Sequence, residues 1–330
     1  MSGVQHRKVT QEEDGMRLDR WFSIHFPDLP FSRLNRIIRK GEVRVDKGRV
    51  KANQRLETGQ TVRVPPIADA GVKPSKPKPI NEKDVQFLRD ITLYEDDQIL
   101  VLNKPHGLAV QGGTGTKRHL DKMLESIPNK KGEKPRLVHR LDRDTSGCLL
   151  VAKTRSAASH FGKIFRSRSA RKIYWAVTAH MPTPKQGKIS CFLARRATED
   201  GEQMHVVEQG EEGAQHSITH YSVTDDAATR VAWVTLKPVT GRTHQLRVHM
   251  AQMKSPIIND PRYFSIENWE KPDGMGEGLH LHARRLALPL PNGHRLDITA
   301  PLPAHMQQTF DLFGFNAAQY DPNDEELDED

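Results

Sequence analysis

The nine residues His139–Gly147, HRLDRDTSG, constrain this chain more than any other stretch. They crowd two carboxylates, Asp142 and Asp144, against two guanidinium groups, Arg140 and Arg143, and end in Thr145, Ser146 and Gly147, small residues suited to a tight turn. The apolar run Cys148 to Val151 comes directly after and has the composition of a buried strand. Whatever the fold, it must set a charged turn at the mouth of a core strand. An aspartate there, beside cations that keep it ionised, suits nucleophilic or general-base chemistry. On spacing alone, a solvated turn laced with ion pairs is the simpler account.

The charge balance narrows the partners. Formal net charge is +8 over 330 residues, but seven of the 42 acidic groups lie in Asp321–Asp330, which holds no Lys or Arg. The other 320 residues carry 50 basic against 35 acidic groups, a net +15. A body that basic suits a polyanion, nucleic acid first. The acidic tail, 319–330, is expected to be disordered and to compete with non-specific RNA for the basic surface. No apolar run approaches the ~20 residues of a membrane span, and no secretory signal precedes the first charged segment. Cys148 and Cys191 show no paired-ligand spacing, so neither a disulfide framework nor a cysteine zinc site is expected. A reducing cytoplasm fits best.

Residues 1–15 are polar and expected to be a flexible N-terminus. Over 16–65 the pattern tightens: Phe31, Leu34, Ile37 and Ile38 recur at helical spacing, with Arg33, Arg36, Arg39 and Lys40 around them and Gly41 closing the helix. EVRVDKGRV, which includes Arg44, then predicts a short hairpin, and Thr61–Pro65 a strand. Residues 66–84, with four prolines and several lysines, form the expected linker, long enough to let the small domain swing. The large domain is expected over 85–318. It opens with a hairpin, ITLYEDDQILVLNKP, followed by QGGTGTKRHL, which lacks the GxxxxGK[ST] phosphate-loop spacing because Lys117 precedes Arg118. RKIYWAVTAH is strand-like and carries Tyr174; residues 195–216 suggest an irregular surface excursion; THYSVTDDAATRVAWVTLKPV alternates as a hairpin. TGRTHQLRVHMAQM turns into a helix whose first half holds Arg242, His244, Arg247 and His249, without the HExxH metal pattern.

These segments together resemble known families. RLDRWF, SRLNRIIRKGEVRVDKGRV and LETGQTVRVP resemble the S4 RNA-binding domain. YEDDQILVLNKPHGLAVQGGTG, LVHRLDRDTSGCLLVAK, RKIYWAV, KPVTGRTHQLRVHM and LHARRLAL, in that order, resemble the RluA family of pseudouridine synthases, its RluC-like branch with an N-terminal S4 domain most of all. The resemblance spans about residues 16 to 305. It implies an α+β protein: a mixed, mainly antiparallel sheet flanked by helices, preceded by the small basic domain. RLD occurs three times, at Arg17–Asp19, Arg140–Asp142 and Arg295–Asp297, but only the middle copy continues into TSG and a buried strand. Asp19 and Asp297 are therefore expected to be structural.

The resemblance implies that Asp142 is the catalytic carboxylate, that Tyr174 lies against the target base and assists at C5, and that Arg247 pairs with the aspartate and keeps it anionic. It implies that Arg140 helps displace the uridine from its stack, a step costing a few kcal/mol. His139, Arg242 and His244, in the same two motifs, are expected on the substrate side, and Arg33, Arg36, Arg39, Lys40 and Arg44 on the RNA-binding face. Pseudouridine formation needs no cofactor and no metal. The expected partner is 23S ribosomal RNA of the large subunit, free or in pre-ribosomal particles, with the protein a monomer. Transfer RNA is the runner-up target, and a non-catalytic RNA-binding or assembly factor the alternative from another class.

Overall fold

Alternation along the central strands builds the large domain. The computed structural model describes residues 3–319 apart from 27–28, 68–79, 114, 117, 131, 199–200 and 229. The acidic tail beyond 319 and most of the Pro-rich linker lie outside the described residues.

The small module consists of β1 (Gln5–Lys8), α1 (Leu18–His25), α2 (Phe31–Arg39), β2 (Arg44–Val45), β3 (Gly48–Arg49) and β4 (Thr61–Val64), with sheet order β1-β4-β2-β3. Leu18, Trp21 and Phe22 of α1 and Leu34, Ile37 and Ile38 of α2 share one core with Val43, Val45, Val62 and Val64. Arg33, Arg36, Arg39 and Lys40 are left exposed, as the helical spacing predicts, but Phe31 does not join the apolar face: at the first turn of α2 it is 61% exposed and outside that core. Arg44 departs from that group: its guanidinium donates to the carbonyls of Gly41 and Lys47 and so braces the β2–β3 hairpin. The N-terminus also departs from expectation. Residues 5–8 are not loose but pair antiparallel with β4. QHRK is too polar to announce a strand; it becomes one because β4 offers an unpaired edge. The linker is shorter than its composition suggests, since Ile67 packs in the small core and the next helix begins at Glu82.

The large domain carries α3 (Glu82–Asp90), β5 (Thr92–Glu95), β6 (Ile99–Lys104), α4 (Leu120–Met123), β7 (Arg136–Leu137), β8 (Ser146–Ala152), α5 (Arg155–Ser167), β9 (Arg171–Ala179), β10 (Gln186–Thr198), β11 (Gly201–Val207), β12 (Gln215–Ala227), β13 (Val231–Pro238), α6 (Gln245–Gln252), β14 (Leu281–Pro289), β15 (Arg295–Thr299) and α7 (Ala304–Phe313). Its eleven strands run β11-β10-β12-β13-β9-β14-β8-β6-β5, with β15 on β14 and β7 on β8. β14 and β8 are parallel, and the other pairs are antiparallel. This is the mixed, mainly antiparallel α+β sheet that the resemblance implied.

Both faces of the sheet are covered, so its central strands are apolar on both sides. Ile99, Val101, Cys148 and Leu150 face Ala157, Phe161 and Ile164 of α5, while Leu100, Leu102, Leu149 and Val151 face Leu88 of α3 and Leu120 of α4. In β9 the same period of two sends Trp175 toward Phe310 of α7 and Ala176 toward Leu246 and Met250 of α6. Tyr174 packs against both the α3–α4 core and the α6 core, which places it at their junction. The stretch 195–216 is not irregular: β10 and β11 form a long hairpin at the sheet edge. Beyond Leu193 the hairpin has no third strand, and past Ala194 none of its described side chains is fully buried, so its composition hides it.

Candidate active site

The turn 139–145 delivers Asp142 to the sheet because of what Gly147 permits. Gly147 has φ +106°, and a Cβ there would lie 2.3 Å from the carbonyl oxygen of Ala283 on β14. Only a glycine lets β8 and β14 approach this closely. Ser146 Oγ and His282 Nδ1, 2.8 Å apart, tie the same two strands, and Thr145 is buried beside them. Lys104, at the end of β6, is fully buried, and its Nζ donates to the carbonyls of Pro105, Leu108 and Arg143 at 2.8, 2.9 and 2.8 Å. Burial pulls this ammonium down to about 7, against the pull of Asp144 and Asp142. Three carbonyl acceptors match the three N–H bonds of the charged form, so it anchors the motif turn by its main chain.

One cavity of about 460 Å³ gathers the residues that the sequence singles out: Asp142, Tyr174, Arg247, Arg140, His139, Arg242 and His244 all line it. Asp142 is 20% exposed and its Oδ2 lies 4.0 Å from Nε2 of His244. Burial, and then the charge of Asp142, raises the Tyr174 pKa, so the phenol enters as a neutral group. Burial lowers His244 below the usual histidine range, with Asp142 opposing, so that ring is neutral too. His244 sits in the left-handed region, φ 52°, at the head of α6. The buried Gln245 fixes that bend: its Oε1 accepts from Thr240 Oγ1 and Arg242 N, and its Nε2 donates to the Ile218 carbonyl and to Thr219 Oγ1.

Arg247 does not pair directly with Asp142. It makes a bidentate bond with Asp260, Nε to Oδ2 at 2.7 Å and Nη2 to Oδ1 at 2.6 Å, and both side chains are buried. Burial works against its charge, but the Asp260 bonds outweigh it and raise its pKa; Asp142 contributes through space. Asp260 is further held by the backbone N–H groups of Arg262 and Tyr263. The Arg247 guanidinium lies over the Tyr263 ring at 5.1 Å, while Tyr263 Oη and His244 Nδ1 are 2.8 Å apart. Arg247 thus forms a fixed cationic wall. Asp260, Tyr263 and Lys104 escape motif reasoning; the one available signal is a lysine ending the apolar run ILVLNK.

One other expectation needs correction. His139 is structural by its bonds: its Nε2 accepts from Leu150 N at 2.8 Å, its ring stacks on Phe165, and burial, then Lys172, pushes it down to about 3. Arg242 is partly engaged, with Nε donating to the His216 carbonyl at 3.1 Å. Arg140 is exposed at the rim. Asp19 and Asp297 lie away from the cavity; Arg17 pairs with the first, and Arg285 clamps the second at 2.7 and 2.6 Å. Among the described residues no group of three or more His, Cys, Asp or Glu side chains could hold a metal ion, and no helix is long and apolar enough to cross a membrane.

Residues 98–252, which span this cavity from β6 to α6, match the family described as RNA pseudouridylate synthase. The chain is 38% identical over 311 residues to the ribosomal large subunit pseudouridine synthase C of Vibrio cholerae serotype O1, covering 92% of this chain and 95% of that one. The chain belongs to the RNA pseudouridylate synthase family. A second relative of this synthase, ribosomal large subunit pseudouridine synthase C of Escherichia coli K12, is 38% identical over 301 residues, 89% of this chain and 92% of its own. Among solved structures, human RNA pseudouridylate synthase domain containing 4 superposes with a TM-score of 0.59 at 28% identity, over 71% of this synthase and 97% of the human chain.

Proposed function

We propose that this synthase isomerises uridines of large-subunit ribosomal RNA, the RNA that the names of its relatives carry, with Asp142 as the catalytic carboxylate. The observation that carries the assignment is convergence. Residues from three separate segments, 139–145, Tyr174 and 242–247, line one cavity around a partly exposed aspartate.

In this reading the extruded uridine enters the cavity with its ribose toward Asp142 and its base against Tyr174. The neutral phenol packs on the detached uracil, which keeps the base from escaping while it turns. A free phenolate is disfavoured there, so packing and hydrogen bonding are the contribution of Tyr174. Arg247, held by Asp260, supplies a fixed positive field at the carboxylate without moving during the reaction. Arg140, at the rim, takes the place of the uridine in the stack. Arg242 and His244 meet the phosphate and sugar. The small module acts as an S4-like RNA-binding domain through Arg33, Arg36, Arg39 and Lys40. The protein is taken to work as a cytoplasmic monomer, without cofactor.

Release of tritium from C5-labelled uridine in ribosomal RNA tests the chemistry. Wild-type protein should release it and Asp142→Asn should not, while RNA affinity stays within about twofold. Release by Asp142→Asn would overturn the assignment. Mapping pseudouridines in a strain lacking the protein tests the substrate: sites lost from transfer RNA alone would refute the ribosomal assignment.

A further inference from the structure

The two domains meet at Asp14, whose Oδ2 takes an ion pair from Lys163 Nζ at 2.6 Å and whose carbonyl accepts from Ser159 Oγ at 2.8 Å, both on α5. Beside this joint lies a second cavity of about 370 Å³, lined by residues from both domains. Its charges are poorly balanced. Asp14 is taken by Lys163 and Asp121 by Lys134 at 2.9 Å, which leaves Glu12 as the remaining carboxylate on the wall. Arg17 is paired with Asp19, and Arg155 with Glu133 at 2.8 Å. Arg20, Arg55, Arg136 and Arg166 have no carboxylate within ion-pair distance among the described residues.

These four guanidinium groups oppose one another across the joint. Arg20 and Arg55 come from the small module, Arg136 and Arg166 from the large domain. Burial, then the positive charges of Arg20 and Arg155, depresses Arg136; burial, then Arg55, depresses Arg166. Two domains that dock with like charges facing each other lose stability at the contact unless an anion fills the gap. Arg166 also lines the active cavity, so the basic lining continues from one cavity into the other. A phosphodiester chain is a row of anions with spacing that suits such a track, and guanidinium forks bind phosphate bidentately.

We infer that the inter-domain cavity is a clamp for the RNA backbone, in which Arg20, Arg55, Arg136 and Arg166 bind successive phosphates of the strand whose uridine enters the active cavity. This rests on the proposed function for the identity of the strand, but the contact itself is independent of sequence. The clamp ties docking of the small module to the presence of substrate: phosphate charge replaces mutual repulsion, so RNA and domain closure stabilise each other.

The test measures binding of poly(U) to the full-length protein as a function of salt, with thermal melts to show that each variant is folded. Arg20→Gln/Arg136→Gln, which removes one guanidinium from each side of the joint, should weaken binding at least about tenfold and reduce the log–log salt slope by about 1.4, given roughly 0.7 for each of two single-strand phosphates. Adding Arg55→Gln should flatten it further. Lys188→Gln, exposed on β10 and outside both cavities, changes net charge without entering the track and should leave the slope as it is. An unchanged slope in the folded double variant would overturn the clamp. So would a melt in which inorganic phosphate alone stabilises wild-type but not the double variant while poly(U) binding is unaltered, which would make the cavity a small-anion site. Failure of wild-type protein to release tritium would instead refute the isomerase reading and leave the poly(U) result standing.

Discussion

The letters HRLD occur twice in this chain, at 139–142 and at 294–297, and the two copies do opposite things. Asp142 sits on a turn, 20% exposed, facing a cavity, with a neutral histidine 4.0 Å away. Asp297 lies within β15, clamped by two bonds from Arg285 on the neighbouring strand. His139 is half-buried and accepts a backbone N–H; His294 is exposed. A four-residue motif therefore carries no chemistry by itself. The residues after each copy separate them: RDTSG leads the first into β8, whereas ITAP carries the second along β15.

The same substitution made in both copies tests this difference most severely. Asp142→Asn should lower turnover by on the order of a thousandfold or more, as expected for loss of a group acting in the transition state. Asp297→Asn should keep turnover within about threefold and lower Tm by a few degrees, since a half-buried Arg285 loses a charged partner at a cost of about 1 kcal/mol. Tritium release and a melting curve measure both. Equal losses would mean that the two aspartates are not distinguished by their surroundings.

The ion pairs near each tetrad offer a second contrast. Arg247→Met leaves Asp260 buried without its counter-charge, which should destabilise by about 3–5 kcal/mol. Arg285→Met leaves Asp297 26% exposed, where solvent covers the loss, so the cost should be closer to about 1 kcal/mol. The double variant Arg247→Met/Asp260→Asn removes the stranded charge while Asn can still accept the two backbone N–H bonds. It should recover most of the stability by denaturant melt, yet remain at least about tenfold slower. Full recovery of rate would show that the cationic wall does not act on Asp142.

Glycines flank both tetrads, and they should differ as well. Gly147→Ala forces a Cβ into the Ala283 backbone and should cost more than about 3 kcal/mol, because two paired strands cannot separate locally. Gly293→Ala meets nothing within 4 Å and suffers only its positive φ of 81°, about 1–2 kcal/mol. Chemical denaturation of the two variants measures the difference.

Legibility in the sequence obeys the same division between local pattern and distant partner. β6, β8, β12 and β13 are legible because burial on one or both faces writes itself into successive residues. The seven cavity residues are legible through the family resemblance that two dense motifs and one strand carry, since spacing alone leaves 139–147 a solvated turn. β1 is not, since its pairing with β4 leaves no mark in QHRK, nor is the β10–β11 ribbon, although its Met204 N–H donates to the Tyr263 hydroxyl of the site at 3.1 Å. The partner of Arg247 escapes the sequence for an equivalent reason. Asp260 reaches it only because the loop after α6 folds back, and the intervening chain records nothing of that.

The smallest contrast is between the two histidines. His139 holds a folded pKa of about 3 against about 6.5 for an unfolded histidine. Between those values the unfolded chain binds a proton that the folded chain refuses, so stability is complete above pH 6.5 and falls as the pH drops toward 3. The loss approaches about 1.4 kcal/mol per pH unit for each such group, and His280 and His282, also held near 3, add to it. His139→Gln, which can still accept the Leu150 N–H, should melt less steeply with acid between about pH 6 and 4.5 than wild-type. His294→Gln, at an exposed side chain of the second copy, is the control. If both variants fell in parallel with wild-type, the acid sensitivity would belong to other groups, and the first tetrad would differ from the second only in its aspartate.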